Sequence, residues 1–323
     1  MGKLIHLDSI VESLRNPWGE PDPGLEAVSK AAAEAYELSN RAYGSDDAEA
    51  WEQAERLLYF INSGHAFANP VHAIGSVVWT TLMRAKLRHA RTLFGGCEPV
   101  DTAEMTRRLE QAVAAYGAYN HPVLAKLKNG NLDHYQIWAK NWYGSCYGFS
   151  HQLASLVQRT HGEAKRVVLE NLSDEFDHKV THDEMRLRFY ESIGLRFEPD
   201  AALDEADRTA EATSLLNLRT GLCSISDPYP ALGCFYTVEA NWPPECRLHI
   251  DLNRARGLDD HTLQYWTEHG LADESHSADW LRVVQASCRS DEQRAGVVDG
   301  GVIQLRVRWA MYDAIERRID AAS

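Results

Sequence analysis

Along this chain, long segments in which apolar residues return every three or four positions alternate with short breaks rich in Gly, Pro, Asn and Asp. That period belongs to α-helices, and no alternating run of strand-like length appears. The pattern predicts helices over 26–42, 47–60 and 71–94. Another opens at Asp101, where Asp101-Thr102-Ala103-Glu104 reads as a helix start. Past Asn120-His121-Pro122 come a turn at Asn129-Gly130 and a long aromatic helix. Further helices are expected over 162–175, 181–194, 203–221, 230–240, 244–257, 260–290 and 295–319. Turns are expected at Gly194, Asp227-Pro228, Pro243-Pro244 and Gly300-Gly301. The expected fold class is all-α. Residues 1–115 form an added helical layer, and residues 116–323 a compact bundle of about seven helices.

Composition narrows the possibilities. Acidic residues outnumber basic ones by 47 to 33, for a formal charge of −14. A nucleic-acid binder normally carries a basic patch, so that class is disfavoured. The N-terminal residues lack an apolar signal core, and no apolar run of 18 residues or more occurs. A soluble, cytoplasmic protein without a membrane partner is expected. The six cysteines are scattered, with no C-x-x-C pair, and are expected to be reduced and packed.

Candidate chemistry is concentrated near the C-terminal end, in Glu268-His269-Gly270-Leu271-Ala272-Asp273-Glu274-Ser275-His276. At about 100° per residue, positions 269, 273 and 276 fall within roughly 60° on a helix. Two imidazoles and a carboxylate on one face make a natural half-site for iron or manganese. By itself, such a run is equally readable as a charged helix face. The other half needs donors on further inward-facing helices. Glu175 ends a helix with an apolar face. Thr181-x-x-Glu184 has the capping-box signature, so a helix begins near His182 and the two residues flank a corner. His178 competes, because Glu175-x-x-His178 has the spacing of ferritin-like di-iron sites. Glu239, late in an apolar stretch before Trp242-Pro243, either reaches the surface or meets a cation.

From about Asn120 onward the chain resembles the haem-oxygenase-like di-iron oxidases and oxygenases. The resemblance rests on His121-Pro122-Val123-Leu124-x-x-Leu127-x-x-Gly130, on Asn171-Leu172-x-x-Glu175, on His182, on Glu239, and most specifically on His269-x-x-x-Asp273-x-x-His276. It implies a seven-helix haem-oxygenase-like bundle with metal ligands Glu175, His182, Glu239, His269, Asp273 and His276. His182 matches the family's first histidine better than His178 does. Some members carry an extra carboxylate ligand on the preceding long helix. The corresponding stretch here, Gly144 to Ser150, contains no Asp or Glu.

The N-terminal extension resembles that of the N-oxygenating members, namely the aminoimidazole N-oxygenase of azomycin biosynthesis and the di-iron domain of the N-nitrosourea-forming enzyme. The resemblance implies two iron ions, dioxygen as co-substrate and an external reductase or chemical reductant. It also implies a small nitrogenous substrate in natural-product biosynthesis, and a homodimer joined through the extension. Oxidation at carbon (C–C cleavage, desaturation or decarboxylation of a fatty or amino acid) and a metal-free helical binding module are the alternatives. Phe149, Tyr236, Trp266 and Tyr143 are candidate pocket walls. Arg186 and Arg188 are candidates to bind a carboxylate. Asp174, Asp183, Glu268 and Asp279 are candidates to orient the histidines.

Overall fold

A computed structural model describes residues 25–62, 73–146, 148–176, 180–197, 207–225 and 227–322, with the side chains of 73–74 and 271–274 left out. Among the described residues the protein is all-α, with no strand. Three helices come first: α1 (Leu25–Gly44), α2 (Ala48–Phe60) and α3 (Ala73–Phe94). Then follow α4 (Thr102–Tyr116), a 3-10 turn at Ala118–Asn120, α5 (Pro122–Asn129), α6 (Leu132–Cys146), α7 (Phe149–Val157), α8 (Gly162–Asp174) and α9 (His182–Ser192). The chain closes with α10 (Ala210–Ser224), α11 (Tyr229–Ala255), α12 (Gln264–Ser287) and α13 (Asp291–Ala322).

Start signals legible in the sequence cap the helices as expected. Asp101 accepts from the Glu104 amide at 2.8 Å and opens α4. Thr181 and Glu184 form a reciprocal capping box at α9. Asn129-Gly130 separates α5 from α6, and α11 starts after Asp227-Pro228. The long aromatic helix is interrupted at Gly148, whose φ of 77° is a left-handed conformation that side chains disfavour. It therefore becomes α6 and α7. Residues 198–206, the start of the helix expected at 203, lie outside the described residues.

Two expected turns are absent. Helix α11 runs straight through Pro243-Pro244, and α13 runs through Gly300-Gly301. Tertiary packing overrides both breakers. The two prolines cost α11 backbone donors. Yet the segment is anchored on both sides, by Asn241, whose Oδ1 accepts from the Ala118 amide at 2.7 Å, and by buried Glu245. The glycines of α13 serve close helix approach. A Cβ on Gly300 would lie 1.8 Å from the Pro230 carbonyl oxygen, and one on Gly233 of α11 would lie 1.9 Å from that of Val297. Helices α11 and α13 thus touch backbone to backbone, and α12 packs along α11.

The main apolar core is formed by residues from the end of α3 through α13. A smaller cluster joins α1, α2 and the middle of α3. A buried polar network ties these helices to α10: Lys86 donates to Glu55 at 2.5 Å and to Ser214 at 2.6 Å, and Asn217 donates to Glu55 at 2.9 Å. Glu55 is fully buried, so each of its oxygens needs such a donor.

Candidate metal centre

The corner between α8 and α9 brings Glu175 and His182 together. Glu175 follows the last residue of α8, and His182 is the first of α9. The His182 amide meets the Glu175 carbonyl at 3.4 Å, and its Nδ1 lies 3.3 Å from Glu175 Oε1. Across from them stands α12. The rings of His182 and His269 are 4.3 Å apart between centroids, and ligand atoms of Glu175, His182 and His269 all lie within 4.8 Å of one another.

His269 is held in one orientation. Its Nδ1 donates to the Tyr265 carbonyl one turn back, at 2.8 Å, which leaves the lone pair on Nε2 free to face the cluster. Burial pushes its pKa well below the ordinary histidine value, and the nearby His182 adds to that shift. It is therefore a neutral imidazole, the form that binds metals.

His276 lies on the same side of α12. Its Nε2 donates to Asp174 Oδ2 at 2.7 Å, so the unprotonated nitrogen is Nδ1. Nδ1 receives a hydrogen bond from Asn171 Nδ2 at 3.1 Å and faces Glu239 Oε2 at 3.7 Å. Glu239 sits mid-helix in α11, with a side chain only 4% exposed. Among the described residues it accepts no hydrogen bond. A carboxylate so placed needs a cation.

Five of the six residues singled out in the sequence thus line one cavity: Glu175, His182, Glu239, His269 and His276. Asp273 lies in α12 between the two histidines, and its side chain is outside the described residues, as is the whole of His178. Of the four acids expected to orient histidines, only Asp174 does so. Asp183 pairs with Arg186, Glu268 accepts from Gln264, and Asp279 pairs with Arg282. Phe149 lines the cavity as expected. Tyr143, Tyr236 and Trp266 do not. Trp142 and Tyr265 take the places of Tyr143 and Trp266, because a helical neighbour one position away points about 100° around the axis, and Trp242 of α11 also lines the cavity. Arg188 is likewise elsewhere, on the surface against His261.

The cavity opens in part to solvent. Its wall also holds Cys146 and three buried arginines: Arg186, as expected, and Arg219 and Arg308, which sequence reasoning missed. The available signal was the run Ala212 to Cys223, in which Arg219 is the single charge; in the structure every residue of that run is buried. A second group of donors, His121, Asp313 and Glu316, is already satisfied. His121 caps α5 through Nδ1 and donates from Nε2 to Asp313, while Lys126 pairs with Glu316.

The donor set fits iron. Imidazoles and carboxylates converge from four helices, and the orienting bonds to Asp174 and the Tyr265 carbonyl are those that metal-bound histidines need.

A helical bundle of this layout, with carboxylates and imidazoles meeting at its centre, is of the haem-oxygenase-like class. A solved Shewanella denitrificans domain of unknown function with that fold superposes with a TM-score of 0.57 at 14% identity, covering 69% of this chain and 95% of that one. A CADD-like protein of unknown function from Nostoc punctiforme gives a TM-score of 0.55 at 18% identity, covering 68% and 98%. Residues 136–309 match the family described as iron-containing redox enzyme, and the chain belongs to that haem-oxygenase-like family. Among curated relatives, the 4-aminobenzoate synthase of Chlamydia pneumoniae is 25% identical over 205 residues, 62% of this chain and 90% of the relative. That of Chlamydia muridarum is 24% identical over 184 residues, 54% and 75% respectively. The protein is thus an oxidoreductase of an iron-containing family. Among the described residues, no helix is long and apolar enough to cross a membrane.

Proposed function

We propose that this protein is a non-haem di-iron, dioxygen-dependent N-oxygenase acting on the nitrogen of a small amine, guanidine or aminoazole. The observation that carries the reading is buried Glu239. It faces His276 Nδ1, among the described residues without a hydrogen-bond donor, in the same cavity as the Glu175–His182–His269 cluster. Glu175, His182 and His269 would hold one iron, and Glu239 and His276 part of the second, with Asp273 between the histidines of α12. Bound ferrous ions would supply the electrons and Lewis acidity that activate dioxygen.

The chain's own groups set the geometry. Asp174 holds the His276 proton on Nε2 and keeps Nδ1 directed inward. His276 Nδ1, which now accepts from Asn171, would be the nitrogen that holds a metal ion. Carboxylates offset the charge of two cations, and neutral imidazoles add none. Trp142, Trp242, Phe149 and Tyr265 form apolar walls that exclude water and position an unprotonated nitrogen. The residues up to 115 serve as a self-association layer that joins two copies, and an external reductant returns the metal to the ferrous state.

Anaerobic titration should give about two ferrous ions per chain. Incubation with labelled dioxygen and a panel of amines should put label on nitrogen. A second reading is oxidation at carbon, supported by the curated relatives, whose name describes formation of an aromatic amine. Label found on carbon alone would establish that reading and end the first.

A further inference from the structure

Three arginines share the cavity, and one of them has no acid. Arg186 pairs with Asp183 at 2.5 Å and Arg308 with Glu245 at 2.5 Å. Arg219, only 3% exposed, donates from Nε to the Gln304 side-chain oxygen and from Nη1 to the Ser145 carbonyl, each at 3.2 Å. Among the described residues it meets no carboxylate, and its Nη2 has no acceptor. An amide and a carbonyl satisfy two donors but leave the charge unbalanced. The dipole at the C-terminal end of α6 offsets only part of it. An uncompensated buried guanidinium costs several kcal/mol, so a partner is expected.

The surroundings confine that partner to the cavity. Every residue of α10 from Ala212 to Cys223 is buried, so Arg219 has no outward route to solvent. The neighbouring wall, Ser145, Cys146, Gly148, Phe149 and Ser150, is uncharged. This is the stretch that lacks the extra acid. Another arginine of the cavity wall also keeps an unused donor: among the described residues Arg186 Nε is buried without a partner. Of the carboxylates that line the cavity, Glu175 and Glu239 belong to the histidine cluster on other helices and Asp183 pairs with Arg186.

We propose that Arg219 binds a carboxylate of the substrate, and that the substrate is therefore an amino acid or a similar carboxylate-bearing amine or guanidine rather than a neutral aminoazole. The inference rests on the cavity being the substrate site of the proposed oxygenase. The planar fork of Arg219 matches a carboxylate, and its two protein hydrogen bonds fix the plane. With the acid end anchored on α10, the other end of the substrate extends along the cavity, past the stacked rings of Trp142 and Trp242, toward the histidines of α12.

The test is calorimetric titration of the full chain, loaded anaerobically with ferrous iron and also metal-free. The probes are matched pairs: L-arginine and agmatine, L-lysine and cadaverine, L-tyrosine and tyramine, L-tryptophan and tryptamine. At least one acid should bind about tenfold more tightly than its decarboxylated partner. That preference should vanish in R219M and R219Q and persist in part in R219K, with iron content unchanged. If no acid binds, if amines bind as well as acids, or if the preference survives in R219M, the proposal is overturned. The wild-type comparison decides even where a variant does not fold. Failures separate cleanly. Full iron uptake without acid preference removes the carboxylate pocket alone, and acid preference in a chain that takes up no iron removes the di-iron reading alone.

Discussion

Asp174 Oδ2 stands 2.7 Å from His276 Nε2, although the two residues lie on different helices and 102 positions apart. That bond fixes both the tautomer and the direction of the ring. Nδ1 is thereby turned toward Glu239, so one hydrogen bond at the end of α8 determines which nitrogen of α12 faces the cavity.

Asp174→Asn should therefore weaken iron binding without removing a ligand. An amide oxygen still accepts, but without charge. A loss of about 10–100-fold in ferrous affinity is expected, read by competition with a chelator while far-UV circular dichroism stays unchanged.

Removing a donor should do more. Glu239→Ala or His269→Ala should each abolish stable binding of one iron and leave the helices intact, as measured by iron per chain and circular dichroism. At the corner, His182→Ala should be more damaging than His178→Ala. The reverse order would transfer the ligand role to His178.

The glycines at the α11–α13 contact predict a stability effect remote from chemistry. Gly300→Ala places a methyl group 1.8 Å from the Pro230 carbonyl oxygen, and the helices must separate. A loss of about 3 kcal/mol or more is expected, seen as a lower urea midpoint. Gly270→Ala, whose Cβ would meet Cys246 at an ordinary 3.4 Å, is the tolerated control.

His249 predicts a pH dependence. Burial lowers its pKa, with the nearby charges of Arg308 and Arg256 acting in the same direction and Glu245 opposing. The unfolded chain therefore binds a proton that the folded one refuses. Stability is at its full value above the unfolded pKa of about 6.5 and falls as pH drops below it, by up to about 1.4 kcal/mol per pH unit. Glu245 acts at lower pH. Burial alone would raise its pKa, but Arg308, His249 and Tyr312 outweigh it and hold the group below the usual value, so its contribution is lost below about 4.5. Urea midpoints between pH 7.5 and 5.5 should decline in the wild type and decline less steeply in His249→Phe, where buried His269 still contributes.

The sequence by itself determined the helices and the candidate donors. Apolar period, capping residues and the His269–Asp273–His276 spacing are local properties, written within a few turns of chain. So were the Glu175–His182 corner and its capping box. Tertiary structure alone decided what the breakers meant. Pro243-Pro244 and Gly300-Gly301 read as turns because local propensity penalises them in helices, yet here they lie inside helices. Close backbone approach between α11 and α13 rewards the glycines, and anchoring on both sides holds the proline segment. Tertiary structure also decided which ring of an aromatic run faces the cavity, since one position rotates a side chain about 100° around the axis. It selected Asp174 from four candidate acids. It placed Arg219 and Arg308 beside the histidines, from helices that share no local pattern with them. Charge balance in a buried cavity is a sum over distant helices, and no spacing along the chain encodes it.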